Sequence, residues 1–216
     1  MWIDLSQPFS EDMPHPASMP SPEFSPVRDV DDDGINVQKY QLITHVGTHV
    51  DAPYHFIPDG KKIDEISLEK MNGQAIVIDI PKRSPEEITV DDVKSKDAEI
   101  RENDIVILNT GWHSKYGDED YEPHPWLNTE VAEWFVEKKI NMLCMDVLTP
   151  DLPWSLREEG WNEFPVHQTL LENEVLIAEN LGNLDEVGDE RIELFGSPIE
   201  IQGGDGSPAR FVARRG

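Results

Sequence analysis

The sequence predicts an α/β domain with a mixed sheet and flanking helices, and three observations support this. Short apolar runs rich in β-branched residues, such as IVID and DIVIL, have the length and composition of core strands. A helical segment lies between two of these runs, as in a β–α–β unit. The chain closes with β-prone segments near residues 190–201 and 209–213, and the Gly-rich turn GGDGSP between them predicts a hairpin.

The N-terminal region, residues 1–26, is predicted to form a strand followed by a proline-rich arm. Prolines are spread through residues 11–26, and each fixes φ and removes a backbone donor, so an ordered arm or lid is favoured over a helix. Five further strands are predicted at residues 35–43, 74–80, 104–109, 141–145 and 174–178.

The predicted helix is NTEVAEWFVEKKI, between the third and fourth of these five strands. Asn128 or Thr129 can cap its start, and its late Lys138 and Lys139 match the helix dipole. Without repeats or a long linker, we expect one domain over residues 1–216, a length that can bury a substantial core.

Composition excludes several classes of protein. The chain carries 44 acidic against 18 basic side chains, a net charge of −26, so we expect no binding to nucleic acid or anionic membranes. Whether this acidity reflects a high-salt source is left open. Cys144 is the single cysteine, which excludes an intramolecular disulfide and predicts a buried structural thiol. No signal-peptide pattern or membrane-length apolar run occurs, so a cytoplasmic location is expected.

The densest group of chemically active residues lies in the segment THVGTHVDAPYHF. It contains His45, His49, Asp51 and His55, and imidazole with carboxylate suits zinc, manganese or iron. Its glycine, proline and β-branched residues oppose a helix. We therefore predict a strand end and a turn, with His49 and Asp51 pointing to the same side.

A second source of ligands lies in FPVHQTLLENEVLIAENL. His167 opens a predicted short helix after Pro165, and Glu179 ends an apolar strand, where α/β proteins collect site residues. On pattern alone, Glu172, Glu174 and Glu179 compete as the carboxylate of this second source.

Four segments together resemble the cyclase-like metal-hydrolase family, which includes bacterial kynurenine formamidases and isatin hydrolases. They are HVGTHVDAPYHF, DGKKIDEI, HQTLLENEVLIAENL and GGDGSPARFV, and the resemblance runs from WIDLSQP to ARFVAR. The resemblance implies a swivelling β/β/α single domain that is a homodimer or higher homo-oligomer.

The resemblance also implies the roles of the site residues. His45, His49 and Asp51 would hold a first divalent metal, and Asp51 would bridge to a second. His167 would bind the second metal, and Glu179 would be shared by both. His55 would be the general acid/base. One or two ions, zinc or manganese, are expected, and the sequence does not choose between them.

Two departures from the family pattern affect the substrate. Formamidases typically carry Trp-Pro-Gly-Asp where this chain has His15-Pro16-Ala17-Ser18, and a double histidine where it has His167-Gln168. We therefore predict substrate contacts from His15 and from Trp154 or Trp161, either of which could replace the missing aromatic wall.

The resemblance implies hydrolysis of a small molecule at a non-peptide C–N bond, with metal-activated water and His55 as acid/base. An aryl formamide, cyclic imide or lactam would fit. Isatin-type lactam or lactone hydrolysis is an alternative to kynurenine formamidase activity. A non-catalytic metal- or ligand-binding protein on the same scaffold is the alternative from another class.

Overall fold

The structure, a computed structural model, describes residues 1–83 and 85–215. Within these residues lie twelve strands and four α-helices, joined by loops and short 3₁₀ turns. The strands are β1 Trp2–Asp4, β2 Glu23–Arg28, β3 Val37–Gln41, β4 His49–Asp51, β5 Asn72–Asp79, β6 Glu87–Ile88, β7 Ile105–Asn109, β8 Trp126–Leu127, β9 Met142–Met145, β10 Leu176–Glu179, β11 Arg191–Pro198 and β12 Gly206–Arg215. The helices are α1 Val30–Asp33, α2 Val90–Lys94, α3 Thr129–Lys138 and α4 Pro165–Glu172.

Seven strands form a closed barrel in the order β4, β12, β11, β5, β7, β9, β10, with β10 pairing back to β4. The strands β5, β7, β9 and β10 run parallel, and the other pairs are antiparallel. Strand β12 is long enough to pair with β4 through residues 206–208 and with β1 through residues 212–214. The predicted α/β class with a mixed sheet is confirmed.

The parallel strands are buried on both faces, as their continuous apolar runs predict. Alternate side chains enter two clusters. Val77, Ile107 and Cys144 fill the barrel interior, while Ile78 and Leu108 pack against the helices. Cys144 is a buried free thiol, as predicted, and burial raises its pKa. Burying one Leu or Ile side chain stabilises the fold by about 1.5–3 kcal/mol, so these two layers dominate the stability.

Local capping explains where the two longest helices lie. Asn128 is the N-cap of α3, and its side chain accepts from the Glu130 N–H. Lys139 ends α3 in the left-handed region, at φ 56°. Helix α4 begins at Pro165, which suits a first-turn position because proline has no N–H to leave unpaired. This start places His167 in the first turn.

The predicted strand at 35–43 is confirmed as β3, but it is shorter and lies outside the core. It pairs with β2 in a two-stranded ribbon whose residues are exposed, with Phe24 partly buried. Residues 11–26 of the arm contain the start of β2 and no helix. Pro26 is tolerated in β2 because it lies beside a bulge on a short edge strand.

Across residues 1–83 and 85–215, no helix combines the length and apolar character that a membrane span requires.

Candidate metal centre

Strands β4 and β10 bring three candidate ligands together. In their antiparallel register Glu179 lies opposite His49, and Ile177 lies opposite Asp51. Side chains two residues apart on a strand share a face, so His49, Asp51 and Glu179 converge. His49 Nε2 lies 3.3 Å from Asp51 Oδ1 and 3.2 Å from Glu179 Oε2. These three side chains are buried and can reach one common ion.

His45 reaches the same carboxylate through the turn before β4. Its Nδ1 lies 2.6 Å from Asp51 Oδ1, and its Nε2 lies 3.1 Å from Asp205 Oδ2. Gly47 permits this turn at φ 61°, and a Cβ there would lie 3.0 Å from the Phe9 ring. A Cβ at Gly206 would lie 2.6 Å from the His45 ring. Glycine is therefore favoured at Gly47 by the positive φ and at Gly206 by the close approach of neighbouring atoms.

His167 approaches the two carboxylates from α4. Its Nε2 lies 3.3 Å from Asp51 Oδ2 and 3.2 Å from Glu179 Oε1. Each carboxylate therefore presents one oxygen to His49 and the other to His167. Asp51 and Glu179 therefore contact imidazole rings from both β4 and α4.

Several of these atoms have no hydrogen-bond partner within the described part of the chain. They are His45 Nε2, His49 Nε2, Asp51 Oδ2 and Glu179 Oε1, all buried. A buried polar atom without a partner costs about 1–3 kcal/mol, more when charged, so such a cluster is costly as a purely structural feature. Nitrogen and carboxylate oxygen donors without sulfur fit zinc or manganese.

Burial and the neighbouring carboxylates shift the pKa values of the histidine rings in opposite directions. Burial opposes a charged ring, but Asp51 and Glu179 outweigh it and raise the pKa of His49 to about 10. His55 differs, because burial together with His45 and His167 lowers its pKa to about 4, despite the opposing carboxylates. Near neutral pH, the His55 ring is therefore uncharged.

His55 lies at the edge of the cluster, in the 3₁₀ turn Pro53–His55. Its ring stacks on His45 at a centroid distance of 3.6 Å, and its Nδ1 lies 3.8 Å from Asp205 Oδ2. With His45 and Asp51 it also forms a group that could hold an ion. The position suits either a proton carrier or a ligand, and substitution can separate these roles.

Sequence reasoning missed Asp205 and Asp151. Asp205 lies in GGDGSP, which was predicted only as a turn, although that motif carried part of the family resemblance. Asp151 accepts from His167 Nδ1 at 2.6 Å and from the backbone N–H groups of Val166 and His167. It thereby caps α4 and orients the His167 ring. Asp151 precedes the helix by fourteen residues, so no local capping pattern indicates it.

Asn180 is a third missed residue, and it connects the two ligand-bearing segments. It follows Glu179 in the left-handed region, at φ 55°. Its Nδ2 donates to the Gly47 carbonyl at 3.0 Å, and that carbonyl also accepts from His49 Nδ1 at 2.8 Å. The Tyr121 hydroxyl donates to Asn180 Oδ1 at 2.7 Å. This network fixes the orientation of the His49 ring.

A cavity of about 460 Å³ opens above the cluster. Of the two tryptophans predicted to contact substrate, Trp154 lines this cavity, together with Phe56 and Phe164. Trp161 is not among its lining residues. The arm reaches the cavity through Pro16, Ser18 and Met19. His15 is not among them either, and its ring hydrogen-bonds to the Met13 carbonyl and the Ser21 hydroxyl.

Comparison with known proteins assigns the chain to a family. The Cyclase family model matches residues 3–152. A kynurenine formamidase from Bacillus cereus is 34% identical over 215 residues, covering 99% of this chain and 97% of the relative.

Two solved structures share the fold. An isatin hydrolase bound to the product analogue thioisatinate is 26% identical with a TM-score of 0.86, covering 98% of this chain and 91% of that one. A potential metal-dependent hydrolase with cyclase activity is 25% identical with a TM-score of 0.81, covering 99% and 96%. The chain, with its buried histidine–carboxylate cluster, therefore belongs to the Cyclase family of metal-dependent hydrolases.

Proposed function

We propose that this chain hydrolyses a non-peptide C–N bond in a small aryl amide or lactam. The observation that carries the proposal is that two buried carboxylates, Asp51 and Glu179, each lie within 3.3 Å of the rings of His49 and His167, with His55 beside them at the cavity wall. His45, His49, Asp51, His167 and Glu179 would hold one or two divalent ions, zinc or manganese. The activities named for the kynurenine formamidase and isatin hydrolase relatives support an amide or lactam as substrate.

Hydrolysis requires metal binding and proton transfer, and different residues would perform these two roles. A divalent metal bound here would acidify a water molecule and polarise the substrate carbonyl. His55 would take the proton from that water and pass it to the leaving nitrogen. Asp205 Oδ2, 3.8 Å from His55 Nδ1, would stabilise the charged ring while it carries the proton. Asp151 keeps His167 oriented throughout by its 2.6 Å hydrogen bond.

The cavity lining indicates the kind of substrate. Aromatic and aliphatic side chains surround the metal ligands, including Phe56, Trp154, Phe164 and Leu148. Neither lysine nor arginine is among the described lining residues, while three carboxylates are. An uncharged aromatic substrate therefore fits better than one carrying its own carboxylate, which would lack a side-chain cation as partner.

We therefore predict a selectivity against N-formylkynurenine. In a screen of metal-reconstituted enzyme, kcat/KM should be higher for isatin or N-formylaniline than for N-formylkynurenine, which carries an amino-acid group. Chelator-treated protein is the control and should be inactive until zinc or manganese is restored. A kcat/KM for N-formylkynurenine above that of every uncharged substrate would contradict the proposal.

A non-catalytic binding protein on this scaffold is the competing function. It would need the ligands but would not need His55, whose ring lies within reach of the cluster and is uncharged at neutral pH. Lactone hydrolysis needs no different residues, so lactones belong in the same screen.

We further propose that the protein acts as a homodimer through the β2–β3 ribbon. A two-stranded ribbon is marginal on its own, and this one exposes Val27, Val37 and Tyr40. Beside it lies a groove of about 560 Å³ whose described lining is uncharged. In a chain of net charge −26, an uncharged surface lets two like-charged copies approach, which favours a second copy as the partner.

We predict that sedimentation gives the mass of two chains and that Tyr40→Glu shifts it to one. Leu68→Glu is the matched control, because Leu68 is equally exposed and lies outside the ribbon. If the parent protein sediments as a single chain at micromolar concentration, the ribbon is not a dimer interface.

A further inference from the structure

The loop before α4 contains a charged side chain that the metal centre does not use. The guanidinium carbon of Arg157 lies 4.5 Å from the ring centroid of Trp154, 4.6 Å from that of Trp161 and 4.4 Å from that of Phe164. Significant cation–π pairs occur about once in 70–80 residues, so three on one guanidinium make an unusually dense arrangement.

The hydrogen-bonding capacity of Arg157 is almost unused. Its Nε donates to the Leu152 carbonyl at 2.8 Å. Its two terminal nitrogens are buried and have no partner within residues 1–83 and 85–215. A guanidinium has five N–H donors and stays charged in proteins, and within the described residues most of the donors of Arg157 are unpaired. The faces of aromatic rings hold Arg157 in place.

Two of the three rings belong to the wall of the metal-centre cavity. Trp154 and Phe164 line it, whereas Trp161 covers Arg157 outside the lining. The Phe164 ring lies 5.1 Å from Phe56, and Phe56 lies 4.7 Å from the ring of His167. A continuous series of ring contacts therefore leads from Arg157 to a candidate metal ligand.

The stretch of the loop between Trp154 and Phe164 adds little support of its own to those rings. Trp154 lies in a single 3₁₀ turn, and residues 158–160 and 162–163 are exposed. Gly160, in the left-handed region at φ 83°, has open space around it. The Trp154 and Phe164 rings also meet edge to face at a centroid distance of 6.1 Å, and Arg157 stacks on both of them at this contact between the two ends of the loop.

We propose that Arg157 is a positioning residue that fixes Trp154 and Phe164 as a rigid aromatic wall, and that this wall sets a preference for flat aryl substrates. The proposal rests on the proposed amide or lactam hydrolysis and adds a determinant of its specificity. Arg157 acts through the two rings and does not touch the substrate.

The first test is a kinetic comparison of two substrates. Arg157→Ala should raise KM for N-formylaniline about tenfold, which corresponds to about 1.4 kcal/mol, with little change in kcat and unchanged metal content. KM for N-methylformamide, which has no ring, should stay the same. Arg157→Lys should fall between parent and alanine variant, because lysine keeps the charge but lacks the planar group that stacks.

Arg214→Ala is the matched control. Arg214 stacks on Trp2 at 5.0 Å, on strand β12 and outside the cavity lining, so its loss should leave KM for both substrates unchanged. If Arg157→Ala alters KM equally for the two substrates, or lowers Tm without altering either KM, the residue is merely structural. Arg157→Met, which keeps the packing volume, replaces the alanine variant if that one fails to fold.

The second test does not depend on turnover. Calorimetric titration of the metal-loaded protein with indole, which has no bond to hydrolyse, should give a Kd about tenfold weaker in Arg157→Ala. Equal Kd values, or no binding of indole to the parent, would overturn the proposal. Inactivity of the parent on every amide with intact indole binding would instead refute the proposed function and leave the aromatic wall standing.

Discussion

Replacing Asp51 by alanine is expected to remove both bound metal and hydrolytic activity. Asp51 contacts the ring nitrogens of His45, His49 and His167 at 2.6, 3.3 and 3.3 Å. Its loss therefore removes the carboxylate that all three rings contact. A catalytic metal contributes several kcal/mol of transition-state stabilisation, so activity should fall by about a thousandfold or more. Elemental analysis and turnover of the same preparation measure both effects.

Asp104→Ala is the matched control for this variant. Asp104 is also a buried aspartate, but it pairs with Arg191 at 2.7 Å and lies outside the cluster. Its loss should lower Tm, because breaking a buried pair leaves a charge uncompensated, while metal content stays at the parent level. Unchanged metal content in Asp51→Ala would refute the site itself.

The second large effect is expected at His55, whose replacement should lower activity without removing the bound metal. Removing a positioned proton carrier costs roughly 10²–10⁴-fold in rate, so kcat should fall by that factor in His55→Ala while bound metal is retained. His55→Phe should behave the same way, because phenylalanine preserves a flat ring against His45 but cannot carry a proton.

Two outcomes at His55 would assign it a different role. Metal loss in His55→Phe would identify a ligand, as the grouping of His55 with His45 and Asp51 also permits. Activity near the parent level in both variants would identify a structural residue.

Much of this fold could be predicted from the sequence because its central strands are buried on both faces. Continuous apolar runs then indicate the strands β5, β7, β9 and β10 to within one or two residues. The same periodicity identifies β3 as a strand but does not reveal that it lies in an exposed ribbon. The exposure of a strand depends on what packs against it in the tertiary fold, and a local sequence pattern does not contain that information.

The residues of the candidate site could also be predicted only in part. The short spacing of His45, His49 and Asp51 indicated a cluster, and family resemblance selected Glu179 over Glu172 and Glu174. In the structure Glu172 and Glu174 are exposed, while Glu179 lies opposite His49 in the register of β4 and β10. Asp151 and Asp205 were missed because each meets its histidine only through the tertiary fold.

We expect Asp51 and Glu179 to be shared between two ions, with His167 serving only the second. This can be tested by measuring metal content per chain, in excess zinc or manganese, on the parent and on His167→Ala. About two ions per chain are expected in the parent and about one in the variant, with the ion at His45 and His49 retained. A stoichiometry near one in both proteins would contradict it.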